Sequence, residues 1–446
     1  MSRIASLLLL LLLPSIVFSQ TTLGSVPDML TLDEAVNLAL KNNRTVRISA
    51  LEVEKLGENI SAFRTHRLPV IQIAMMGSGL LTPFSFEFNQ GVFGTYPGIG
   101  PIPAQNTNIT TPRQITGFTM SSVAQPLSQL YKINLGVKAM EFSRDIGRED
   151  LRAKRHEIRD QVTRVYYDLA QTQTALDASL ETIQFYTELD RVTDQFLLQQ
   201  AVLKADSIDV KMRLAKERLE SVKLRNTVET RQEQLNQLMG RDIRQRFRVA
   251  TNQAPDLAEL DLAAAQNRAL EQRPELRQAQ LKIKQAEYDR RQKKAEYIPD
   301  VSLSVRQLSF LNVDMLPANV VTAGVDLTWE PFDWGRKRHE LAAKSETVEQ
   351  AQTALSETES QILLEVNAQF RKVQEAAAAV DVARLAVDEA AEKLCVASDA
   401  YRIQSVRLDQ LLQVQAANST AVSEYQKAMS NYWTSRADLA KAMGDE

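Results

Sequence analysis

Two stretches of alternating apolar and polar residues, set in a chain that otherwise has the pattern of long helices, constrain the fold most. Residues 299–306 place Val301, Leu303 and Val305 between polar neighbours, and residues 322–329 repeat the alternation through Trp329. A period of two over this length predicts β-strands with one apolar and one polar face. The turn residues between the runs predict a hairpin. A hairpin inserted into helices must bury its faces and pair its edges elsewhere.

The N-terminus and the composition narrow the class of protein. Residues 1–19 have a positive end, an apolar core and a cleavage-site pattern, which predicts a secretory signal peptide. No later apolar run approaches the roughly 20 residues of a membrane helix. The net charge of −3 gives no sign of a nucleic-acid partner, and the single cysteine excludes a disulfide framework within the chain. We expect that cysteine, Cys395, to be buried as a packing residue.

An internal repeat organises the rest of the chain. Thr31 corresponds to Asp261 and Pro69 to Pro299 at an offset of 230, whereas the helices after the hairpins correspond at an offset of 204. We therefore predict a first repeat, 20–250, with a hairpin at about 70–125 and long helices at about 128–240. The second repeat is 251–446, with a hairpin at about 299–331 and long helices at about 334–443. Capping-box residues Thr31 and Glu34 predict the first helix start.

The helix after the second hairpin carries a heptad-like apolar stripe. Its members, at steps of three, four or seven, are Ile362, Val366, Phe370, Val373, Ala377, Val380, Val387, Ala391 and Leu394. A helix from Arg336 to Tyr401 reaches roughly 100 Å and needs lateral partners along its length.

Two hairpins supply four strands, and an open four-stranded sheet has two unpaired edges. Lipid offers no hydrogen-bond partners, so a sheet that spans a bilayer must close into a barrel. Membrane barrels have about eight strands or more, so at least two chains must share one barrel. Trp329 and Trp334 lie near the strand-to-helix junction, where interfacial aromatics belong. Ordinary packing is the alternative for both tryptophans.

Several motifs together give the chain a family resemblance. They are LDEAVNLALKNN (32–43) and its echo AQNRALEQRPEL (265–276), Pro299 before the strand, EPFDWGR (330–336) after it, and the terminal LAKAMG (439–444). In the order, spacing and duplication of these motifs, the sequence resembles the TolC-like outer-membrane efflux proteins, and the resemblance covers nearly the whole mature chain.

The resemblance implies a mainly α fold with β-hairpins, in two structural repeats. It implies a homotrimer whose twelve-stranded transmembrane β-barrel is continued by a periplasmic α-helical barrel. Such a protein is a passive outer-membrane channel of a tripartite efflux or type I secretion system in a Gram-negative-type bacterium. Its partners are outer-membrane lipid, a periplasmic adaptor (membrane fusion) protein and an inner-membrane pump. We expect no enzymatic activity and no cofactor or metal site.

The helix breaks at residues 199–209 and 401–413 are placed by the resemblance at the periplasmic tip. The candidate gate and adaptor-contact residues there are Asp206, Asp209, Tyr401, Arg407 and Asp409. Acidic side chains on symmetry-related helices would form a ring that favours cations. Many relatives carry glycine at each break, whereas Leu203 and Gln404 stand at the positions we assign to it. The alternative is that the charged residues are solvated helix ends.

Basic residues precede both hairpins: Arg64, His66 and Arg67 before the first, and Arg290, Arg291, Lys293 and Lys294 before the second. They complement helix dipoles and would face lipid headgroups, or they form a solvated helix face. The alternative for the whole protein is a periplasmic coiled-coil adaptor or scaffold, with the strands in a soluble domain. Whether a channel would carry drugs, metals or proteins stays open.

Overall fold

The computed structural model describes residues 29–111, 113–250, 261–313 and 316–445, which are mainly helical. The predicted signal peptide lies outside the described residues. The helices are α1 (Leu32–Asn42), α2 (Arg44–Arg64), α3 (Gln129–Leu198), α4 (Lys204–Leu238), α5 (Leu262–Gln272), α6 (Pro274–Ala295), α7 (Arg336–Arg402) and α8 (Leu408–Met443). The strands are β1 (Met29–Leu30), β2 (Val70–Gly79), β3 (Phe84–Phe88), β4 (Thr95–Tyr96), β5 (Gly100–Pro101), β6 (Thr107–Thr111), β7 (Ile115–Pro126), β8 (Arg248–Val249), β9 (Asp300–Leu311) and β10 (Asn319–Thr328).

The chain divides into two compact units. One comprises the described residues of 1–38 and 165–255, and the other those of 39–164 and 256–446. The predicted repeat boundaries, 20–250 and 251–446, remain a prediction.

A tyrosine ties together the short strands of the first unit. β1 and β8 pair in parallel, with Met29 opposite Arg248. The hydroxyl group of buried Tyr166 lies 3.1 Å from the carbonyl oxygens of both Leu30 and Ala250, and it donates its hydrogen bond to this pair of acceptors. Burial raises the pKa of Tyr166 to about 12, so the hydroxyl stays a donor at neutral pH.

Local capping explains where the first two helices begin. The Thr31 backbone N–H donates to Glu34 Oε2 at 3.0 Å, and the Glu34 N–H donates to Thr31 Oγ1 at 3.3 Å. The predicted capping box is therefore confirmed. Asn43 separates α1 from α2, and its side-chain oxygen accepts from the Thr45 N–H at 2.8 Å.

The apolar core of the second unit lies along α7. The buried side chains of the predicted stripe are Ile362, Val366, Phe370, Val373 and Val380, and they pack with residues of α5, α6 and α8. Beyond them the stripe is only half-buried or exposed. Cys395 is exposed, so the prediction of a buried thiol is wrong. Cys395 follows half-buried Leu394, and its side chain is rotated by about 100° around the helix from that of Leu394. It therefore points away from the apolar stripe.

The second unit also holds a four-stranded antiparallel sheet in the order β10-β9-β7-β2. The contact between β7 and β9 joins the two hairpins into this one sheet. Residues 80–114, which carry the small ladders β3–β6 and β4–β5, connect β2 to β7. Only residues 312–318 connect β9 to β10, so the two hairpins differ mainly in their connecting segments.

Candidate functional site

The two faces of the four-stranded sheet differ in chemistry. Side chains at every second position of paired strands share a face. One face, called here the apolar face, carries Ile71, Ile73, Met75, Val123, Val301, Leu303, Val305, Val321, Ala323, Val325 and Leu327. All of these apolar residues except half-buried Val301 are exposed on the single chain. Toward the end of the sheet farther from the helices, the same face also carries uncharged polar residues: Thr119, Ser121, Gln307, Ser309 and Asn319. An exposed apolar surface of this extent indicates contact with a membrane or another protein.

The opposite face, called here the polar face, carries the charges of the sheet. Toward the end farther from the helices it also carries apolar residues: Met76, Phe118, Met120, Leu308, Phe310 and Val320. Gln72, Ser122, Arg306 and Thr322 form one row across the four strands. The Arg306 guanidinium lies 2.6 Å from the carboxylate of Asp326 on the same face. Asp300, at the start of β9, is the remaining charged residue of these strands and pairs with Lys132 at 2.6 Å. Charges on one face only indicate that the faces meet different surroundings.

The outer strands of the sheet each have one partner. Within the described residues, β2 pairs only with β7, and β10 pairs only with β9. The other side of each strand therefore presents backbone N–H and C=O groups that can pair with another chain.

A tight turn leads from β10 into α7. Trp334 and Gly335 have φ values of 57° and 87°, in the left-handed region. The Asp333 carboxylate accepts hydrogen bonds from the backbone N–H groups of Gly335 at 3.1 Å and Lys337 at 2.9 Å. These bonds satisfy donors at the start of α7 and hold the turn.

The same turn directs large aromatic side chains away from the protein. Trp329 and Phe332 are exposed, and Trp334 is 89% exposed. The rings of Phe332 and Trp334 pack edge to face, with centroids 4.8 Å apart. Ordinary core packing therefore does not describe these tryptophans within the chain, and their role at a membrane interface remains a prediction.

The break between α3 and α4, called here the first tip (residues 194–211), begins with a regular helix termination. Gln200 has φ 61°. Its N–H donates to the Leu197 carbonyl at 3.0 Å, and the Ala201 N–H donates to the Phe196 carbonyl at 2.9 Å. This pattern is a Schellman motif, in which the left-handed residue is usually glycine.

Polar contacts cap α4 and join it to α3 at the first tip. The Asp206 carboxylate accepts from the Leu203 N–H at 3.0 Å and so caps α4. Asp194 on α3 accepts from Lys211 Nζ and from Ser207 Oγ on α4, both at 2.8 Å. The bond from Lys211, and then that from Ser207, lowers the pKa of Asp194, and Asp194 raises the pKa of Lys211.

The break between α7 and α8, called here the second tip (residues 399–412), has the same backbone and different side chains. Gln404 has φ 60°, its N–H donates to the Tyr401 carbonyl at 2.9 Å, and the Ser405 N–H donates to the Ala400 carbonyl at 2.9 Å. Tyr401, Leu408, Leu411 and Leu412 are buried in the second tip. The first tip has a buried apolar residue too, Val210, but its helices are also joined by the polar contacts of Asp194.

Residues 265–445 match the sequence profile of the outer membrane efflux protein family. A search of curated protein sequences gives no significant match.

The fold of the chain agrees with that of solved outer-membrane proteins. The CmeC outer membrane channel of Campylobacter jejuni aligns with a TM-score of 0.74 and 17% identity, covering 93% of this chain and 85% of that one. VceC from Vibrio cholerae gives 0.70 and 15%, covering 93% and 96%. The open state of the MtrE outer membrane channel of Neisseria gonorrhoeae gives 0.69 and 15%, covering 93% and 89%. At these identities the likeness establishes the fold.

The structure distributes the predicted tip residues over two groups. Asp206 caps a helix in the first tip, and Asp209 lies 3.2 Å from Arg213 on the same helix. In the second tip, exposed Arg407 and Asp409 lie 3.4 Å apart. Tyr401 is buried there. A joint role of these residues in a gate remains a prediction.

Sequence reasoning misplaced one position of the first tip and missed one contact. The left-handed residue is Gln200, which corresponds to Gln404 at the repeat offset of 204, and not Leu203. Leu203 has an extended backbone at the N-cap of α4. The contact of Asp194 with Lys211 joins residues on either side of the break. The repeat offset of 204 could have identified Gln200 as the left-handed residue. No local sequence pattern indicates the contact between Asp194 and Lys211.

Among the described residues, no group of three or more His, Cys, Asp or Glu side chains is arranged to hold a metal ion. None of the described helices is both long enough and apolar enough to span a bilayer.

Proposed function

We propose that this chain is the outer-membrane channel of a tripartite efflux or type I secretion system, and that three copies close one twelve-stranded barrel. The observation that carries the proposal is the four-stranded sheet, with one exposed apolar face, one polar face and two incompletely paired edge strands. Three such sheets joined at β2 and β10 leave no open edge. The apolar face then meets lipid and the polar face lines a water-filled passage.

Strand length and charge placement support the assignment of faces. The four strands have 10 to 12 residues, and about ten residues cross the hydrocarbon layer at a tilt. Arg306 and Asp326 would be costly in lipid, but on the polar face they stay hydrated and paired.

The helices give the passage its periplasmic part. α7 continues directly from β10 and has 67 residues, or about 100 Å at 1.5 Å per residue. The two tips would lie at the inner end, where they meet the periplasmic adaptor and the inner-membrane pump. Transport is passive in the channel, because energy enters at the pump. Asp209, Tyr401 and Arg407 are the residues we propose to hold the tip closed.

Two neighbouring residues on β2 provide a matched test of the barrel. Ile73→Lys places a charge on the lipid face, at a cost of about 2–4 kcal/mol per copy near the bilayer midplane. Gln72→Lys places the same charge on the polar face, where water solvates it. We expect Gln72→Lys to form membrane-embedded trimers and Ile73→Lys to lose them, as measured by membrane fractionation and native mass spectrometry in detergent.

The same experiment separates the channel from a periplasmic adaptor or scaffold. A wild-type chain that alkali washing removes from membranes, or that is monomeric in detergent, contradicts the barrel. Equal assembly of the two lysine variants contradicts the assignment of faces. The gate has its own test: alanine at Asp209, Tyr401 and Arg407 should raise single-channel conductance, and no rise for any of them contradicts it.

A further inference from the structure

We propose that the end of the sheet nearest the helices binds anionic phospholipid headgroups through a basic rim formed by Arg67, Lys294 and Arg338. This inference rests on the proposed function, because it requires the sheet to span a membrane. It adds a preferred lipid class to the membrane assignment and names the side chains that select it.

The chain brings the three cations of the basic rim to one end of the sheet. β2 and β9 begin there, and β7 and β10 end there, as the pairing of Asp300 with Thr328 and of Ser302 with Pro126 requires. Arg67 lies three residues before β2, and its carbonyl accepts from Gln125 at the end of β7, at 3.0 Å.

The other two cations lie on helices held at the same end. Lys294 is in the last turn of α6, before β9, and Arg338 is in the first turn of α7, after β10. A contact of 2.6 Å between Lys293 and Glu340 ties these two helix ends together. The basic rim is therefore a feature of the folded sheet end, to which three separate segments contribute.

The acidic groups at this end are already paired. Asp300 pairs with Lys132, Glu330 with Arg336, and Glu340 with Lys293, each at 2.6 Å. Glu296 also pairs with Lys293, at 2.8 Å, and the Asp333 carboxylate accepts hydrogen bonds from two backbone N–H groups. Within the described residues, Arg67, Lys294 and Arg338 form no such ion pair, and Lys294 and Arg338 are exposed. The charge left available to a ligand is therefore positive. Guanidinium and ammonium groups bind phosphate oxygens through charge-assisted hydrogen bonds.

Exposed aromatic rings at the same end supply the apolar half of a lipid site. Trp329, Phe332 and Trp334 follow β10 directly and are all exposed. Tryptophan prefers the depth of the headgroups, where its ring meets acyl chains and its N–H stays hydrated. Aromatic rings beside unpaired cations match a phospholipid, which joins acyl chains to a charged headgroup.

The opposite end of the sheet has fewer cations. Residues 80–114, which connect β2 to β7, contain one cation, Arg113, and one acid, Glu87, and residues 312–318 contain one acid, Asp314. The basic rim is thus a property of one end of the sheet. An anionic lipid is expected to accumulate around that end alone.

The three tryptophans allow a direct measurement. Trp433 lies in α8 against the apolar core, so Trp433→Phe leaves Trp329 and Trp334 as reporters at the sheet end. The protein is reconstituted into phosphatidylcholine bilayers that contain phosphatidylglycerol or phosphatidylcholine brominated close to the headgroup. We expect brominated phosphatidylglycerol to quench more strongly at equal mole fraction. The preference should be on the order of fivefold for each rim residue at low salt, and weaker at high salt.

A triple substitution tests the cause of the preference. Adding R67Q, K294Q and R338Q to the Trp433→Phe protein should remove the preference for phosphatidylglycerol. Adding R371Q, K372Q and R384Q, which change three exposed cations on α7 away from the sheet, should leave it intact. A preference that survives loss of the basic rim, or that does not weaken with salt in the Trp433→Phe protein, overturns the inference.

The outcomes separate this inference from the function on which it rests. Equal quenching by the two brominated lipids overturns the anionic preference and leaves the membrane location standing. No quenching by either lipid places Trp329 and Trp334 away from the bilayer, and contradicts both the inference and the proposed channel.

Discussion

The first and second tips end their helices with the same backbone and hold their side chains together by different means. In both, a left-handed glutamine, Gln200 or Gln404, closes a Schellman motif. Asp194, Lys211 and Ser207 form polar contacts in the first tip, whereas Leu408, Leu411 and Leu412 are buried in the second. The repeat thus preserves backbone geometry while allowing the side-chain contacts to change.

This difference indicates that the two tips respond to different changes. Ion pairs and hydrogen bonds depend on protonation and salt, whereas a packed apolar cluster depends on side-chain volume. A protein with one tip of each kind can loosen one helix connection and leave the other closed.

The largest expected effect is the loss of packing in the second tip. Leu412→Ala removes a side chain that is 2% exposed, which costs about 2–5 kcal/mol. Hydrogen exchange of residues 399–412 should become much faster, and exchange of the first tip should stay unchanged. The control Leu385→Ala, at an exposed position on α7, should change little. Equal acceleration at both tips would show that they open as one unit.

A smaller effect should follow acidification of the first tip. The folded-state pKa of Asp194 is lowered, so its contribution is complete above the unfolded pKa of about 3.9 and is lost as pH falls through the folded value. We expect exchange in the first tip, corrected for intrinsic rates, to rise below about pH 4. The second tip serves as the internal comparison. Asp194→Asn should loosen the first tip at neutral pH and remove the acid response, and an unchanged response would contradict the assignment.

The smallest effect concerns the backbone that the tips share. Gln200→Gly and Gln404→Gly each relieve a left-handed conformation, for a net gain of about 0.5–1 kcal/mol after the entropy cost of glycine. Thermal unfolding and local hydrogen exchange should show similar gains at both tips. Gln199→Gly and Ile403→Gly, one residue earlier, should give a loss. A gain at one tip only would break the equivalence of the two motifs.

The helices and strands were predictable because their signals are local. Thr31 with Glu34 fixes a helix start, alternation in β9 and β10 fixes two strands, and the stripe from Ile362 to Val380 fixes a packing surface. Each depends on residues a few positions apart.

The candidate site was less predictable because its contacts join residues from different segments. Asp194 and Lys211 meet only after the chain reverses, and no periodicity links them. The position expected to hold glycine was assigned to Leu203, but the left-handed residue is Gln200. The left-handed position depends on the residue at which α3 ends, and helix ends are hard to place from sequence. The exposure of Cys395 depends on which part of α7 has a packing partner, a question that a stripe alone does not answer.

The uninterrupted α7 has a consequence for the spacing of cell-envelope layers. Its 67 residues hold the second tip about 100 Å from the sheet, and a helix of this kind cannot be shortened by bending a loop. In the proposed channel, an inner-membrane partner would therefore have to reach a fixed depth in the periplasm. A lineage with a wider periplasm would need to lengthen α7 and α8 together, in steps of about seven residues that keep the apolar stripe aligned.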